Sequence, residues 1–420
     1  MKTLEIIGDN YFGNWTSTRT GCRAVIIKDE KILLSYETKT GQWMLPGGGL
    51  EENETEEECV IREVSEECGV VIKSSTCQLE IDEYYEDCKW LNLYFFGEVT
   101  GNTEIKLTER EIEVGMEPRW VPIGEIVGIF STHQEYDGID EMRRGMYLRE
   151  YMALQELLIA RLPESVREKV EGKEFSVDVT GKSGSTVMIF DDRVLKVMPL
   201  GMEEEETVQM TRWLSGKLPV PEILAWEQDG EKQYLLMSKV PGIMSCNQYY
   251  LEHPDEMVSI LADTLKLLWS IDISDCPRDC GLEGELLKAE KRVKEHQIDL
   301  EDAEPETFGE GGFKDPEELL QWLYDHKPSY EPVLSHGDYC LPNVFIEDGK
   351  LSGLIDLGNC GIADKWEDIA MCYRSLKHNF NGTYGGKVYP DFHPEVLFEK
   401  LGIEPDWEKI RYYILLDELF

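Results

Sequence analysis

The fold of the larger part of this chain is decided by residues 336–358, which read HGDYCLPNVFIEDGKLSGLIDLG. Two apolar runs flank Asp348-Gly349, and an Asp-Gly pair between such runs favours a tight hairpin. The hairpin returns the chain on itself, so we expect Asn343 and Asp356 to meet at the same end. Two oxygens suited to a metal ion would then flank one point, with Asp338 close enough to take a proton from an incoming hydroxyl.

Residues upstream extend this constellation toward a phosphate-binding site. Val194-Leu195-Lys196 closes a predicted strand, which places Lys196 where it can pair with phosphate groups. Residues 181–187 form a loop of small residues that includes Ser183 and can approach phosphates through backbone and hydroxyl groups. With Asp356-Leu357-Gly358 last, the order resembles that of kinases, in which a lysine, a catalytic aspartate, an asparagine and a second aspartate act together.

From about Leu162 to Phe420 the chain closely resembles the aminoglycoside phosphotransferases, and most nearly the 3'-phosphotransferases. The likeness is carried by Gly216–Pro221, Ser270–Pro277, Ala363–Trp366 and the closing LLDELF. The resemblance implies a bilobal, protein-kinase-like fold and transfer of the γ-phosphate of ATP or GTP to a hydroxyl of a cationic aminoglycoside, at the 3' position.

The resemblance also implies a role for each matching residue. Asp338 would act as the base on the drug hydroxyl, Lys196 would hold the α and β phosphates, and two Mg²⁺ or Mn²⁺ ions would be held by Asn343 and Asp356. The nucleobase would be received by a hinge made of Met237, Ser238 and Val240, and the amino groups of the drug by Asp417, Glu418 and the terminal carboxylate of Phe420. A polyamine needs such convergent, ionised carboxylates.

Three departures from the relatives leave alternatives open. The glutamate that should pair with Lys196 falls on a threonine, so the partner is Glu206, Glu203 or nothing. Val194 stands where some relatives stack a tyrosine on the adenine, which leaves ATP and GTP both possible, and Asn359 replaces an arginine. A kinase for another small metabolite, such as a sugar or an amino alcohol, is the alternative function.

A second constellation lies in residues 45–70, which read LPGGGLEENETEEECVIREVSEECGV. Thr55 and Glu58 form a capping box, because each side chain can satisfy a backbone donor of the other residue. A helix should therefore begin there and run to about residue 68. It should stop at Gly69, which suits the left-handed C-terminal cap.

Three carboxylates share one face of that predicted helix, because Glu63, Glu66 and Glu67 stand at i, i+3 and i+4. Like charges so close destabilise one another unless a cation neutralises them. Hard oxygen ligands favour Mg²⁺ or Mn²⁺, and Arg62 can orient a carboxylate of the cluster.

Residues 48–70 match, position for position, the box G-x5-E-x7-R-E-U-x-E-E-x-G-U, so this part of the chain resembles the Nudix hydrolases. The resemblance implies an α/β/α sandwich and Mg²⁺-dependent hydrolysis of a nucleoside diphosphate derivative. Glu63, Glu66 and Glu67 would bind the metal, and Arg62 and Glu66 would belong to the catalytic machinery. A further ligand would come from Glu109, Glu111 or Glu113, which the sequence does not rank. The alternative is a binding module without catalysis.

Composition narrows the range of partners. The 420 residues include 84 acidic and 42 basic ones, a formal net charge of −42. Such a surface repels phosphate backbones and anionic lipid, so we expect no nucleic-acid or membrane binding and expect cationic partners instead. No run of about 18 apolar residues and no signal-peptide layout occurs, which predicts a cytoplasmic protein. The 11 cysteines contain no C-x-x-C pair, as expected for free thiols.

The sequence predicts two domains joined by a short, stiff junction. Short strand patterns, including a hairpin over residues 22–35, and a helical pattern over residues 139–161 precede Pro163, a helix-start signal. We therefore predict an α/β Nudix sandwich over residues 1–160 and an α+β kinase-like domain over residues 161–420. Its N-lobe would span about 161–240 and its C-lobe about 241–420.

Overall fold

The structure is a computed structural model and describes residues 2–178, 186–200, 204–230, 232–300, 303–309 and 311–420. Ser183 and Glu203, two predicted nucleotide-site residues, lie outside these ranges. By contacts, the chain divides into two compact units, Met1–Leu200 with Ala225–Leu236 and Gly201–Leu224 with Met237–Phe420. The strands that lead to Lys196 thus belong to the first unit, and the predicted boundary near residue 160 stays a prediction.

Residues 2–160, the N-terminal part of the first unit, form ten strands and four α-helices. The strands are β1 Lys2–Ile7, β2 Ser17–Val25, β3 Ile27–Lys28, β4 Lys31–Glu37, β5 Gln42–Met44, β6 Gly47–Gly49, β7 Val70–Ser74, β8 Leu79–Tyr85, β9 Cys88–Asn102 and β10 Met116–Pro122. The helices are α1 Glu56–Cys68, α2 Glu109–Val114, α3 Ile123–Ser131 and α4 Glu141–Ala160, with a 3-10 turn at Thr132–Tyr136.

These strands form two sheets, and α1 packs against both. A mixed sheet has the order β1-β8-β9-β2-β6 with β7 on β9, and a smaller antiparallel sheet has the order β10-β4-β3 with β5 on β4. Apolar side chains of β2, β9 and α1, such as Ala24, Phe95 and Val60, make the core between them. The predicted hairpin forms where Asp29 and Glu30 adopt positive φ between β3 and β4.

A five-stranded sheet completes the first unit. After α5 Glu164–Val170, its strands are β11 Phe175–Asp178, β12 Thr186–Phe190, β13 Arg193–Pro199, β14 Ile223–Asp229 and β15 Lys232–Ser238, and their order is β11-β12-β13-β15-β14. Lys196 lies on β13 in register with Val187 of β12. The strand predicted to close at Lys196 is therefore β13, which pairs antiparallel with β12.

The second unit is mainly helical. Its helices are α6 Glu204–Leu214, α7 Gln248–Glu252, α8 Pro254–Trp269, α9 Leu282–Lys294, α10 Pro316–Asp325, α11 Lys365–Asn381, α12 Val396–Leu401 and α13 Trp407–Asp417. Its short strands are β16 Ile243–Met244, β17 Pro332–Ser335, β18 Val344–Glu347, β19 Lys350–Leu354 and β20 Gly361–Asp364. Leu261, Leu354 and Ile369 are among the fully buried residues of one large apolar core.

The predicted hairpin of the opening stretch is confirmed. β18 and β19 pair antiparallel across Asp348-Gly349, and both turn residues have positive φ. Ile355 N donates to Asn343 O at 3.0 Å, so the strand ends that carry Asn343 and Asp356 are held together. None of the helices among the described residues is both long and apolar enough to span a bilayer.

Candidate active sites

The helix α1 begins and ends as its sequence predicts. Thr55 Oγ1 accepts from Glu58 N and the Glu58 carboxylate accepts from Thr55 N, which is the predicted capping box. Gly69 closes the helix at φ +65°, and a Cβ there would lie 2.9 Å from Ile105 Cγ1. Only a residue without a side chain fits this cap, so residues next to the helix determine where it ends. The position of the three glutamates relative to that end follows from the sequence.

Arg62 holds the carboxylates around it. Its Nη2 and Nε donate to the two oxygens of Glu54 at 2.7 and 3.1 Å, and its Nη1 donates to Glu63 at 2.8 Å and to Glu66 at 3.3 Å. The guanidinium lowers the pKa of Glu54 to about 2, so this carboxylate stays ionised and braces the loop before the helix. Arg62 therefore lies beside the predicted metal ligands, as the sequence suggested.

Burial makes Glu63 and Glu67 unlike ordinary carboxylates. Burial raises the pKa of Glu67 to about 7, and its Oε2 accepts from Ser35 Oγ at 2.7 Å and from Gly47 N at 3.3 Å. Burial also raises the pKa of Glu63, whose Cδ would lie 2.4 Å from a Cβ at position 48. Gly48 is required because any side chain there would displace that carboxyl group.

The donor chemistry of this site fits a hard divalent cation, since it consists of carboxylate oxygens. Within the part of the chain that the structure describes, however, no three His, Cys, Asp or Glu side chains are close enough together to hold a metal ion. Arg62 engages Glu63 and Glu66 instead, so their role as metal ligands stays a prediction. Of the three candidate acids that the sequence left unranked, Glu111 of α2 adds, after burial, to the raised pKa of both Glu63 and Glu67.

The second site is built on the catalytic loop of the second unit, which a buried aspartate organises. Asp368 of α11 is fully buried, and its carboxylate accepts from His336 N at 2.9 Å, from Gly337 N at 3.0 Å and from Ser335 Oγ at 2.9 Å. The ring of the buried His336 lies with its Nε2 3.0 Å from Ile355 O. Asp368 was not predicted from the sequence. Its position two residues after the Ala363–Trp366 motif could have indicated it.

This loop brings the predicted catalytic residues together. Asn343 Nδ2 donates to Asp338 Oδ2 at 2.9 Å and to Asp338 O at 3.0 Å. Burial raises the pKa of Asp338, and the charges of Asp417 and Asp356 raise it further. Asp356 adopts left-handed φ and ψ of 59° and 58°, a sparsely populated conformation for a residue other than glycine.

The predicted drug-binding tail borders the same region. A cavity of about 440 Å³ is lined by Gly337 of the catalytic loop, by Asn359 and by the tail residues Asp417 and Phe420. Of the predicted tail groups, Asp417 and Phe420 therefore share one cavity of the second unit with Gly337, the residue before Asp338, whereas Glu418 does not line it. Glu367 of α11, which is partly buried, also lines it, and desolvation raises the pKa of this carboxyl well above its ordinary value.

Arginines engage each of the tail groups. Arg374 of α11 bonds to Asp417 and lies 3.7 Å from Glu418, and Arg292 of α9 donates to Leu419 O at 3.0 Å and to Phe420 O. Burial raises the pKa of Glu418 to about 7, although Glu304 N donates to this carboxylate at 2.9 Å. The sequence identified the acids but not these arginines, whose positions are far away in the chain.

The predicted nucleotide residues are divided between the units. Lys196 lies in the first unit, and Met237, Ser238 and the buried Val240 lie in the second. Ser238 is at the end of β15, where its N donates to Glu222 O at 2.8 Å. Glu206 pairs with Arg278 at 2.7 Å, so its assignment to Lys196 stays a prediction.

Comparisons with known proteins identify both parts of the chain. Residues 176–411 match the model of the phosphotransferase enzyme family, and residues 18–142 match that of the NUDIX domain. The chain is 41% identical over 244 residues to an aminoglycoside 3'-phosphotransferase of Enterococcus faecalis, covering 58% of this chain and 88% of the relative. It is 43% identical over 218 residues to one of Staphylococcus aureus, covering 51% of this chain and 79% of that protein.

Solved structures agree with these matches. An aminoglycoside-3'-phosphotransferase of type VIII is 27% identical with a TM-score of 0.52, over 61% of this chain and 96% of that chain. An aminoglycoside phosphotransferase from Streptomyces rimosus, in complex with ADP and streptomycin, is 25% identical with a TM-score of 0.51, over 64% of this chain and 97% of that chain. The predicted two-part fold, a Nudix domain followed by a kinase-like domain, is confirmed. The chain belongs to the phosphotransferase enzyme family that includes these aminoglycoside 3'-phosphotransferases, and its N-terminal part is a NUDIX domain.

Proposed function

We propose that this protein is an aminoglycoside 3'-phosphotransferase joined to a nucleoside diphosphate derivative hydrolase. The observation that carries the kinase assignment is the contact between Asp338 and Asn343, 2.9 Å apart, next to Gly337, which lines one cavity with Asp417 and Phe420 of the tail. The similarity to aminoglycoside 3'-phosphotransferases over most of their length supports the choice of drug and of the 3' hydroxyl.

The kinase residues act by position and charge. Asp338 accepts the proton of the drug hydroxyl, and its raised pKa suits a group that takes a proton near neutral pH. Asn343 and Asp356 would hold Mg²⁺, which neutralises phosphate charge when bound, and Lys196 holds the α and β phosphates of ATP or GTP. Asp417, Glu418 and the carboxylate of Phe420 bind the amino groups of the drug.

The hydrolase residues lie on α1. Glu63, Glu66 and Glu67 would hold Mg²⁺ or Mn²⁺, which lowers the pKa of a bound water when present. Arg62 and Glu54 keep the glycine turn and the helix in register through their paired hydrogen bonds. The substrate is a nucleoside diphosphate carrying a further group.

The kinase assignment is tested with the purified chain, ATP or GTP, and kanamycin B beside its 3'-deoxy analogue tobramycin. We expect phosphorylation of kanamycin B and none of tobramycin. Asp338→Ala should lower this rate by about a hundredfold or more, the usual contribution of a general base, and leave any diphosphate hydrolysis unchanged.

Glu66→Gln supplies the reciprocal control. It should abolish Mg²⁺-dependent hydrolysis across a panel of nucleotide sugars, dinucleotide polyphosphates and oxidised nucleotides, and it should leave drug phosphorylation unchanged. Equal phosphorylation of the two drugs, or full activity of Asp338→Ala, would refute the proposed kinase reaction.

A further inference from the structure

Helix α9 presents a row of cations to the cavity of about 440 Å³ beside the catalytic loop. Lys288, Lys291 and Arg292 all line this cavity. They stand at i, i+3 and i+4, so they share one face of the helix. The chain as a whole has a formal net charge of −42, which makes a basic face unusual for this protein. We call these three residues the basic wall.

Two members of the basic wall have partners within the protein. Arg292 donates to Phe420 O at the end of the chain. Lys288 Nζ lies 3.1 Å from Glu285 Oε1, one turn earlier on the same helix. Lys291 is exposed, and among the described residues no acid forms an ion pair with it. Lys291 therefore contributes a positive charge that no described carboxylate neutralises.

The other acids that line the cavity are already neutralised. Asp417 is bonded to Arg374 of α11, and this arginine does not itself line the cavity. Desolvation raises the pKa of Glu367 well above its ordinary value, which favours the neutral form of its carboxyl group. The ionised carboxylates of the lining thus have cationic partners, and Lys291 remains as surplus positive charge.

A surplus cation acts directly on a substrate that carries several ammonium groups. Two unit charges about 6 Å apart in water repel each other enough to weaken binding by about threefold. The repulsion applies to each amino group near α9 and falls with added salt, because the screening length is about 10 Å at 0.1 M ionic strength. Discrimination between similar ligands uses repulsive elements as well as attractive ones.

The place of Lys291 at the end of α9 also has a purely structural explanation. Cations in the last turn stabilise a helix through its dipole, and the last turn of α9 contains Lys291, Arg292 and Lys294. The side chain of Lys294 is 70% exposed, pairs with Glu290 at 2.6 Å and is not part of the cavity lining. Lys294 shares the dipole role without the cavity, so a comparison of the two lysines separates the explanations.

We propose that Lys291 determines drug specificity by repelling amino groups from the α9 side of the cavity. The drug then binds with its amino groups toward Asp417, and drugs with more amino groups are disfavoured. Lys291 thus weakens the binding of a polyamine that the tail acids strengthen. The place of the drug in this cavity rests on the proposed function, whereas the basic wall and its surplus charge do not.

The test is steady-state phosphorylation of kanamycin A and of neomycin B, which carries more amino groups, by the full chain at saturating ATP or GTP. Lys291→Gln should lower the KM for neomycin B by about threefold, lower the KM for kanamycin A by less, and leave kcat unchanged. Lys291→Arg should keep both wild-type KM values. The gain in Lys291→Gln should disappear in about 0.5 M KCl, because salt screens the repulsion.

Lys294→Gln is the matched control, because it removes the same charge from the same helix turn outside the cavity, and it should leave both KM values unchanged. Damage to the fold cannot imitate the expected result, since it would lower kcat rather than KM. With phosphorylation intact, an unchanged or raised KM in Lys291→Gln, an equal decrease for the two drugs, or the same decrease in Lys294→Gln would overturn the role of Lys291 alone. Absence of phosphorylation of either drug by the wild-type chain would instead reject the proposed function, and the role of Lys291 with it.

Discussion

Glu418 shows how a single residue of the proposed drug site depends on its surroundings. Its carboxyl is 9% exposed, and burial raises its pKa to about 7 despite the hydrogen bond from Glu304 N and the nearby Arg374. The predicted role of the tail acids requires that they stay ionised. At neutral pH about half of the Glu418 carboxyls are therefore protonated and cannot bind an ammonium group.

Drug binding should consequently strengthen as the pH rises through 7. From pH 6 to pH 7.5 the ionised fraction of Glu418 grows by roughly eightfold for a pKa near 7, so we expect kcat/KM for kanamycin B to rise severalfold at saturating ATP. Glu418→Gln should remove this dependence. Glu408→Gln, an exposed acid of the same helix, is the control and should keep it, and an unchanged pH profile in Glu418→Gln would contradict the assignment.

Arg278 is a second residue whose importance appears only in the fold. Its buried guanidinium bonds to Gly358 O, in the turn after the strained Asp356, and to Glu206 Oε2 of α6 at 2.7 Å. This contact braces the turn that carries a proposed Mg²⁺ ligand. Glu206 is thereby engaged by an arginine of its own unit.

We predict that Arg278→Met raises the Mg²⁺ concentration needed for half-maximal drug phosphorylation by about tenfold, since a hydrogen bond from a charged donor is worth roughly 1.5–3 kcal/mol. Glu206→Gln should show the same Mg²⁺ defect with a smaller amplitude. If Glu206 serves Lys196 instead, Glu206→Gln raises the KM for ATP and leaves the Mg²⁺ dependence unchanged. Initial rates over a matrix of Mg²⁺ and ATP concentrations distinguish these results.

At the scale of elements, α1 depends on how its C-terminal end is closed. Gly69 has φ +65°, and a Cβ there would meet Ile105 Cγ1 at 2.9 Å and Thr103 O at 3.0 Å. Gly41 has φ +70° with nothing within 4 Å of its built Cβ. The two positions share the same backbone strain and differ in whether a methyl group has room.

Gly41→Ala should therefore lower the free energy of unfolding by about 1 kcal/mol, the cost of a left-handed L-residue. Gly69→Ala should cost more than that, because the collision is added to the same strain. Urea unfolding of the full chain, followed by the fluorescence of the N-terminal part, measures both. An equal loss of unfolding free energy in the two variants would show that residues 103–105 move away from the added methyl group without an energetic cost.

At the scale of the whole molecule, the five-stranded sheet that carries Lys196 is held within the first unit by α4 and by Glu30, of which Glu30 lies in the NUDIX match. Gln155 of α4 donates to Phe175 O at 2.8 Å and accepts from Phe175 N at 2.9 Å, so it substitutes for a neighbouring strand. Glu30 bonds to Thr186 and Lys232 of the same sheet. The joining of the two domains thus has a structural role.

We predict that Gln155→Ala destabilises the first unit by about 1–3 kcal/mol, because it leaves two buried backbone groups of Phe175 unpaired. Hydrogen exchange should show that β11 and β13 lose protection in this variant together with β9. Gln134→Ala, an exposed glutamine before α4, is the control. Loss of protection confined to β11 would contradict a shared folding unit.

Sequence alone predicted the parts of this protein that depend on neighbours in the chain. The capping box at Thr55, the stop at Gly69 and the Asp348-Gly349 hairpin are set by local backbone chemistry, and each is present in the structure. The hairpin in turn brought Asn343 and Asp356 to one end. The family resemblance added the two-domain fold, because each family motif consists of residues that lie close together in the sequence.

Tertiary structure alone revealed the partners that are distant in the chain. Asp368, which orders the catalytic loop, is 31 residues from Gly337, and Arg374 is 43 residues from Asp417. The support of β11 by Gln155 likewise depends on how separate elements pack. A short-range pattern carries no information on such contacts, because burial and long-range packing arise only once the whole chain has folded.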